Sequence, residues 1–237
     1  TSTIKLMSTI TLVPLYPPAL LAKLVTSLDH VSNGRFHLGV GVGGEFAKEF
    51  AACGVPVNER GARTNESLEV LRRLWTEEDI EFQGRFTVLP GVTLAPKPLQ
   101  NPMPVWISGR SDAAMRRCAR FGTGWLPYMY TPERCRDSFF KVKEFAEEAG
   151  RDLPSDYTFA CFIYTALYDD IVDARARAVA ELKYRYGQEF DHLVDKYCGY
   201  GPPTRIAEYL QKYIEAGANY LILAPIMPPE DRRRHLE

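Results

Sequence analysis

Apolar positions along the chain recur at two different spacings. Residues 4–13 are rich in β-branched side chains, as in a strand, whereas residues 18–31 repeat apolar side chains at helical spacing: Leu20, Leu21, Leu24, Val25 and Leu28. After the turn "SNGR", the stretch "FHLGVGVG" predicts a second strand, and "ERGARTNESLEVLRRLW" predicts a second helix whose apolar side is formed by Leu68, Leu71, Leu74 and Trp75. The first part of the chain is therefore predicted to hold two strand-helix units.

The alternation continues to the end of the chain after one interruption. Short β-like runs broken by glycine and proline predict a hairpin outside the main repeat at about 80–100. Beyond it, the strands "PVWIS", "GWLPYM", "YTFACFIYTALY" and "YLILAP" alternate with helices predicted over 112–121, 132–149, 171–186 and 204–216. Such alternation predicts an α/β fold with a parallel sheet, either doubly wound or closed into a barrel. Because no low-complexity linker divides the chain, we expect one domain over residues 1–237.

Composition narrows the class of partner. The 237 residues are 46% hydrophobic, which is enough for a large core, and 29 basic against 30 acidic residues leave a net charge of -1. A balanced charge gives no field to attract nucleic acid or a membrane surface, so we expect a small-molecule substrate. No apolar run reaches the length of about 18 residues that a membrane helix needs, and we expect a cytoplasmic protein. The five cysteines show no CxxC spacing, which predicts neither a metal site nor a disulfide framework.

The stretch "RFHLGVGVGG" spaces Gly39, Gly41 and Gly44 as in the dinucleotide-binding fingerprint. Strand alternation, however, puts Gly39 and Gly41 inside the strand on one face with His37 and Gly43, rather than in the turn after it. The acid about 20 residues on would be Glu59, which opens a helix instead of ending a strand. An NAD-binding Rossmann unit is therefore disfavoured. Two explanations of the glycine face stay open: close approach of a flat ligand, or crowded packing.

Long segments of the chain resemble one known family. The stretches "LVTSLDHVSNGRFHLGVGVGGEFAKEFAACGVPVNERGARTNESLEVLRRLW", "PVWISGRSDAAMRRCARFGTGW" and "GPPTRIAEYLQKYIEAGANYLILAP" resemble the bacterial luciferase-like monooxygenase superfamily of flavin- and deazaflavin-dependent oxidoreductases. The segment "GVPVNERGARTNE" is similar to the actinobacterial branch that uses coenzyme F-420, a deazaflavin. Two positions depart from the family, which usually has aspartate where this chain has Asn65 and Thr123.

The resemblance implies a (β/α)8 TIM barrel with the cofactor ring across the C-terminal ends of the strands. Family members begin with two strand-helix units before the strand at 4–13, and each unit of such a barrel takes about 30 residues. The resemblance thus implies a native chain longer by roughly 60 residues at the N-terminus, and somewhat longer after Glu237. An Asp-His pair that usually lies near the ring would belong to that preceding part.

Three places are candidates for cofactor binding. The resemblance puts a cis peptide bond under the ring at Ser8-Thr9, against the alternative of an ordinary inward-facing serine. Gly109, Arg110 and Ser111 lie between a strand and a helix, where free N-H groups and the helix dipole favour a phosphate; plain capping by Ser111 or Asp112 is the alternative.

The third place follows the glycine strand. Gly43 could admit the ribityl chain of the cofactor, and Glu45 is a weak candidate for a polar contact or catalytic acid, against the alternative of a solvated glutamate. Trp125 and Tyr128 are candidates for the pocket wall, and Arg232–Arg234 could meet an anionic group or form a solvated terminal charge run.

The resemblance also implies the reaction class. With F-420 as cofactor, we expect hydride transfer to or from a small organic substrate; with reduced FMN and O2, we expect monooxygenation. A non-catalytic flavin-binding barrel protein is the further alternative. Family members are commonly homodimers, and we expect the same here.

Overall fold

The computed structural model describes residues 2–227, which form two compact units. The first contains residues 2–124 and 145–152, and the second contains residues 125–144 and 153–227. Arg232–Arg234 lie outside the described residues. The expectation of a single domain stays a prediction.

The first unit alternates strands and helices as the apolar pattern predicts. Its elements in chain order are β1 (Leu6–Leu12), α1 (Pro18–Ser32), β2 (Phe36–Gly41), α2 (Ala47–Ala52), α3 (Arg60–Thr76), β3 (Ile80–Gln83), β4 (Val88–Val92), β5 (Val105–Ser108) and α4 (Asp112–Phe121). Strand β2 pairs in parallel with β1 on one side and with β5 on the other. Parallel pairing sends the carboxyl ends of these three strands to one edge of the sheet.

Helices α1 and α3 cover this part of the sheet in different ways. Leu68, Leu71, Leu74 and Trp75 of α3 are all buried, as the periodicity predicts. In α1 the same periodicity is split, because Leu21 and Val25 are buried whereas Leu20, Leu24 and Leu28 remain 46–49% exposed. Helix α1 ends where the turn "SNGR" was expected, at Asn33, whose left-handed backbone accommodates the reversal.

The hairpin expected at 80–100 is present, with β3 and β4 antiparallel. Glu66 on α3 accepts hydrogen bonds from the backbone N-H groups of Arg85 and Phe86 at 2.8 and 2.9 Å, which fixes the hairpin turn to that helix. The buried carboxylate of Asp29 on α1 accepts bonds from the backbone N-H groups of Leu99 and Gln100 at 2.7 and 3.0 Å. The excursion is thereby anchored at its turn and at its C-terminal end.

A buried arginine joins α3 to α4. Arg117 is 6% exposed, and its Nε donates to the Oδ1 of Asn65 at 2.7 Å. Burial lowers the pKa of this guanidinium, although it stays protonated at neutral pH. The second departure from the family, Thr123, is also structural, since its hydroxyl bonds both the N-H and the C=O of Val105.

We expect Asn65→Asp to raise the free energy of unfolding by about 1 kcal/mol, because the bond to Arg117 becomes charge-assisted. Urea unfolding at neutral pH measures the change, with Asn65→Ala as the control that removes the acceptor and should destabilise. An Asp variant no more stable than the parent would contradict this account of the pair.

The second unit is built around a long strand. Together with most of β6 (Gly124–Leu126) and α5 (Pro132–Glu148), it contains β7 (Thr158–Leu167), α6 (Ile171–Tyr186), α7 (Asp191–Tyr197), β8 (Cys198–Gly201), α8 (Pro203–Glu215) and β9 (Tyr220–Pro225). Strand β7 pairs in parallel with β8 and with β9. Asp170 caps α6 by accepting from the N-H of Asp173, and Gly187 ends it in the left-handed conformation. The predicted bounds of α6 and β9 match these elements.

Candidate functional site

The candidate residues of the first unit lie at two depths along its sheet. Gly43 and Glu45 follow β2, and Gly109–Ser111 follow β5 directly. Because β2 and β5 are parallel and paired, with neighbouring strands about 4.8 Å apart, these two groups lie close together at the same carboxyl edge of the sheet. Ser8 and Thr9 lie farther back, within β1. The structure therefore brings the second and third predicted places together and leaves the first inside the strand.

Ser8 forms a side-chain bridge between β1 and β2. Its Oγ accepts from the backbone N-H of Gly39 at 3.1 Å, donates to the C=O of Gly39 at 3.3 Å, and accepts from the hydroxyl of Thr11 at 3.0 Å. The β1–β2 register shifts between Ser8 and Thr11, so the serine hydroxyl takes over backbone pairing where the strand bulges. Ser8 thus has a structural role at the bulge.

The cis peptide bond expected at Ser8-Thr9 is one residue farther on. The structure has it at Thr9-Ile10, so the expected position was wrong by one bond. Ser8 keeps its register opposite Leu38, and the irregular backbone comes after it, between Ser8 and Thr11. The expectation of a cis bond within β1 is otherwise confirmed.

Residues of β1 fill the space beside the glycines of β2. A Cβ on Gly39 would lie 2.0 Å from the carbonyl oxygen of Ser8, and one on Gly41 would lie 2.0 Å from the Cδ1 of Ile10. Of the two explanations for the glycine face, crowded packing accounts for these two positions. Glu59 lies in the turn before α3, where it pairs with Arg63 at 2.8 Å and Arg85 at 3.0 Å, so it is not the acid of a Rossmann unit.

Beyond the strand, Gly43 and Gly44 both have positive φ, of 62° and 120°. A Cβ on Gly43 would contact Leu12 and Phe50 at 3.0–3.2 Å, so their side chains already fill the space that a side chain at this position would need. Glu45 is exposed two residues before the short helix α2.

Arg60 is a functional candidate that sequence reasoning did not find. Its Nε would lie 2.9 Å from a Cβ on Gly44, so the half-buried guanidinium lies over the backbone that follows β2. Its Nη1 donates to the C=O of Val57 at 2.8 Å, which holds the side chain in this direction. The approach of Arg60 to Gly44 depends on the path of the intervening loop, which the helical periodicity of α3 does not specify.

Ser111 is the N-cap of α4. Its Oγ accepts from the N-H of Ala114 at 3.3 Å, and its C=O accepts from the N-H groups of Ala114 and Met115. The capping alternative is therefore confirmed. Capping bonds only part of the first turn, so outward N-H groups and the positive end of the helix dipole remain at the carboxyl end of β5. Arg110 and Ser111 are exposed there, next to the acidic Asp112.

One ring pair lies on the glycine side of β2. His37 is 5.6 Å from Trp106 of β5, centroid to centroid, in an edge-to-face arrangement. Burial, followed by the positive charge of Lys5, lowers the pKa of His37, which favours the neutral form of this side chain.

The expectation that Trp125 lines a pocket was wrong. This indole is 0% exposed, and its Nε1 donates to the hydroxyl of Ser138 on α5 at 3.0 Å, so it belongs to the core of the second unit. Tyr128 is partly buried and bridges to Phe162 of β7 through its backbone. Strand alternation gave no means to tell which face of β6 packs on the helix.

Within residues 2–227, two structural features are absent. In that part of the chain no group of three His, Cys, Asp or Glu residues is placed to hold a metal ion. None of the helices described there is both long enough and apolar enough to cross a membrane.

The sequence profile of the luciferase-like monooxygenase family matches residues 1–220. An uncharacterised protein of Mycobacterium tuberculosis is 38% identical over 141 residues, which cover 60% of this chain and 48% of that protein. An F-420-dependent glucose-6-phosphate dehydrogenase of Amycolatopsis mediterranei is 25% identical over 93% of this chain and 72% of its own length. An FMNH2-dependent dimethylsulfone monooxygenase of Pseudomonas putida is 37% identical over 46% of this chain and 31% of its own.

Solved structures share the fold over nearly the whole chain. The monooxygenase RslO1 from Streptomyces bottropensis has a TM-score of 0.84 at 24% identity, covering 99% of this chain and 75% of its own. An F-420-dependent secondary alcohol dehydrogenase has a TM-score of 0.79 at 22% identity, covering 95% and 72%. These likenesses confirm the expected α/β fold of the luciferase-like TIM barrels. The chain spans about half the length of the first curated relatives that it matches, at 48%.

Proposed function

Because the chain belongs to the luciferase-like monooxygenase family, we propose that it is a coenzyme F-420-dependent oxidoreductase that transfers a hydride to or from a small organic substrate. We choose F-420 over FMN because of the share of this chain that each relative matches. The F-420-dependent relative matches 93% of this chain, whereas the FMNH2-dependent relative matches 46% of it. The similarity of "GVPVNERGARTNE" to the F-420 branch points the same way.

The observation that carries the proposal is the N-terminus of α4 at the carboxyl end of β5. The outward N-H groups of its first turn, the exposed Ser111 and the guanidinium of Arg110 suit a phosphate group. Arg60 adds a second cation at the neighbouring end of β2, over Gly44. These residues fit a cofactor that carries a phosphate beside a flat ring.

The other candidates take supporting roles. The backbone of Gly43 and Gly44 borders the path of the cofactor chain, and the β1 bulge, which contains Ser8 and Thr9, lies deeper in the same sheet. Glu45, which follows Gly44, is a candidate polar contact or acid. When bound, the deazaflavin ring supplies the hydride chemistry, while the protein orients it and excludes water.

FMN-dependent monooxygenation is the second candidate. It is favoured by the FMNH2-dependent relative, which has the higher identity, 37% over 113 residues, against 25% for the F-420-dependent one. A non-catalytic flavin-binding barrel is the third. The expectations of a homodimer and of a cytoplasmic location also stay predictions, and light scattering of the purified full-length protein would measure the first.

A fluorescence titration of the full-length protein with F-420 and, separately, with FMN tests the proposal. We expect F-420 to bind with a micromolar or lower Kd and at least about 10-fold more tightly than FMN, a difference of about 1.4 kcal/mol. Tighter binding of FMN would replace the proposal with the monooxygenase. Binding of F-420 without turnover on any substrate would support the non-catalytic alternative, and binding of neither would refute all three.

A further inference from the structure

Two buried cysteines of the second unit are in direct contact. Cys135, in the first turns of α5, and Cys161, in β7, are each 1% exposed, and their Sγ atoms are 3.0 Å apart. They are 26 residues apart in sequence, so a bond between them would close a loop across a helix and a strand. All five cysteines of the chain are free thiols in the structure.

The packing of α5 on β7 sets this contact. Phe139, one helical turn after Cys135, packs on Phe159, two residues before Cys161, with ring centroids 4.9 Å apart. Four residues along a helix and two along a strand cover similar distances, about 6 and 6.7 Å, so the two contacts repeat in register. The thiols are consequently held together by the apolar packing around them.

The other buried cysteines are arranged differently. The Sγ of Cys118 donates to the C=O of Gly124 at 3.3 Å, and that of Cys198 donates to the C=O of Gly199 at 3.6 Å. In Cys135 and Cys161, by contrast, each thiol has the other thiol as its hydrogen-bond partner. The hydrogen bond with Cys161, together with burial, raises the pKa of the Cys135 thiol. The Cys135 thiol is therefore held in its protonated form in the reduced protein.

We propose that Cys135 and Cys161 are a site of reversible oxidative modification, at which hydrogen peroxide converts the two thiols into a disulfide joining α5 to β7. A disulfide has its sulfurs about 2.05 Å apart, so the two Sγ atoms need to approach by about 1 Å. We expect rotation of the two side chains to supply this shift. The inference is independent of the cofactor assignment, because both residues belong to the second unit.

The reaction balances with one peroxide for each pair. The sulfur of one cysteine attacks the peroxide, the O-O bond breaks, and a sulfenic acid and one water form. The sulfur of the second cysteine then displaces the sulfenic oxygen, the S-S bond forms, and the thiol proton leaves with that oxygen in a second water. Two thiols lose two electrons, which the peroxide gains.

Intact mass and peptide mapping without reductant test the proposal on the full-length protein. A Cys53→Ser background removes the exposed thiol and so prevents cross-links between molecules. We expect peroxide to lower the mass by about 2 Da, the two lost hydrogens, and to give one cross-linked peptide pair containing Cys135 and Cys161. Dithiothreitol should restore the original mass.

Variants separate this pair from the remaining buried thiols. Cys161→Ser and Cys135→Ser should each abolish the mass loss, whereas the matched control Cys198→Ser should retain it with the same peptide pair. Circular dichroism before oxidation checks that each variant is folded. A parent protein that only gains oxygen, keeps both thiols after prolonged exposure, or links Cys198 instead would overturn the proposal, and this result needs none of the variants to fold.

Discussion

Replacing Gly39 by alanine is expected to lower the free energy of unfolding by about 3 kcal/mol, the upper range of overpacking penalties. A Cβ there would lie 2.0 Å from the carbonyl oxygen of Ser8, a backbone atom that cannot rotate away. Relief would require β1 to move, and with it the hydroxyl bridge from Ser8 to Gly39. Where the backbone conformation suits alanine, replacing glycine by alanine raises the free energy of unfolding, because alanine restricts the unfolded chain. The change predicted for Gly39 has the opposite sign.

Gly41→Ala is the matched control for this prediction. Its Cβ would also meet an atom at 2.0 Å, but that atom is the Cδ1 of Ile10, the flexible end of a side chain. The cost should therefore be smaller, about 1 kcal/mol, and the double variant Gly41→Ala with Ile10→Val should recover most of it. Urea unfolding of the four proteins measures these differences. Equal losses at Gly39 and Gly41 would contradict the packing of β1 against β2.

Ser111→Asp is expected to weaken cofactor binding about 100-fold. Two like charges 4 Å apart interact by about 4 kcal/mol at an effective dielectric of 20, and solvent screening removes part of this. Aspartate is as good an N-cap as serine, so α4 itself should be unharmed. Fluorescence titration gives the Kd, and thermal unfolding checks that the fold is retained.

Two variants of the same turn serve as controls. Ser111→Asn keeps a capping side chain without charge and should bind the cofactor within a few-fold of the parent. Asp112→Asn removes a negative charge from the first turn of α4 and should tighten binding several-fold, more so at low salt. If Ser111→Asp and Ser111→Asn bind equally well, the phosphate does not lie at this helix end.

Elements with strong local signals could be predicted from the sequence. The bounds of α4 were correct because a capping serine precedes its apolar stripe and a glycine follows it, and those of α6 were correct because Asp170 and Gly187 mark its ends. Helix α7 and strand β8 were missed. Strand β8 has only four residues, and two of them are glycines, so its local strand propensity is low. It is a strand because it pairs with β7.

The site was predictable in position and less so in detail. Residues that follow strands of a parallel sheet meet at one edge, which places Gly43 and Ser111 near each other without knowledge of side chains. The contacts that decide their roles are non-local. Ser8 bonds Gly39 across the sheet, Arg60 covers Gly44 after a loop, and the direction of Trp125 depends on α5.

The most direct test of the central claim is a crystal structure of the full-length protein with F-420. The phosphate is expected within about 3 Å of the backbone N-H groups at Ser111 and of the Arg110 guanidinium, with the ring directed toward the β1 bulge. A phosphate bound elsewhere, with the N-terminus of α4 in contact with solvent alone, would contradict the claim.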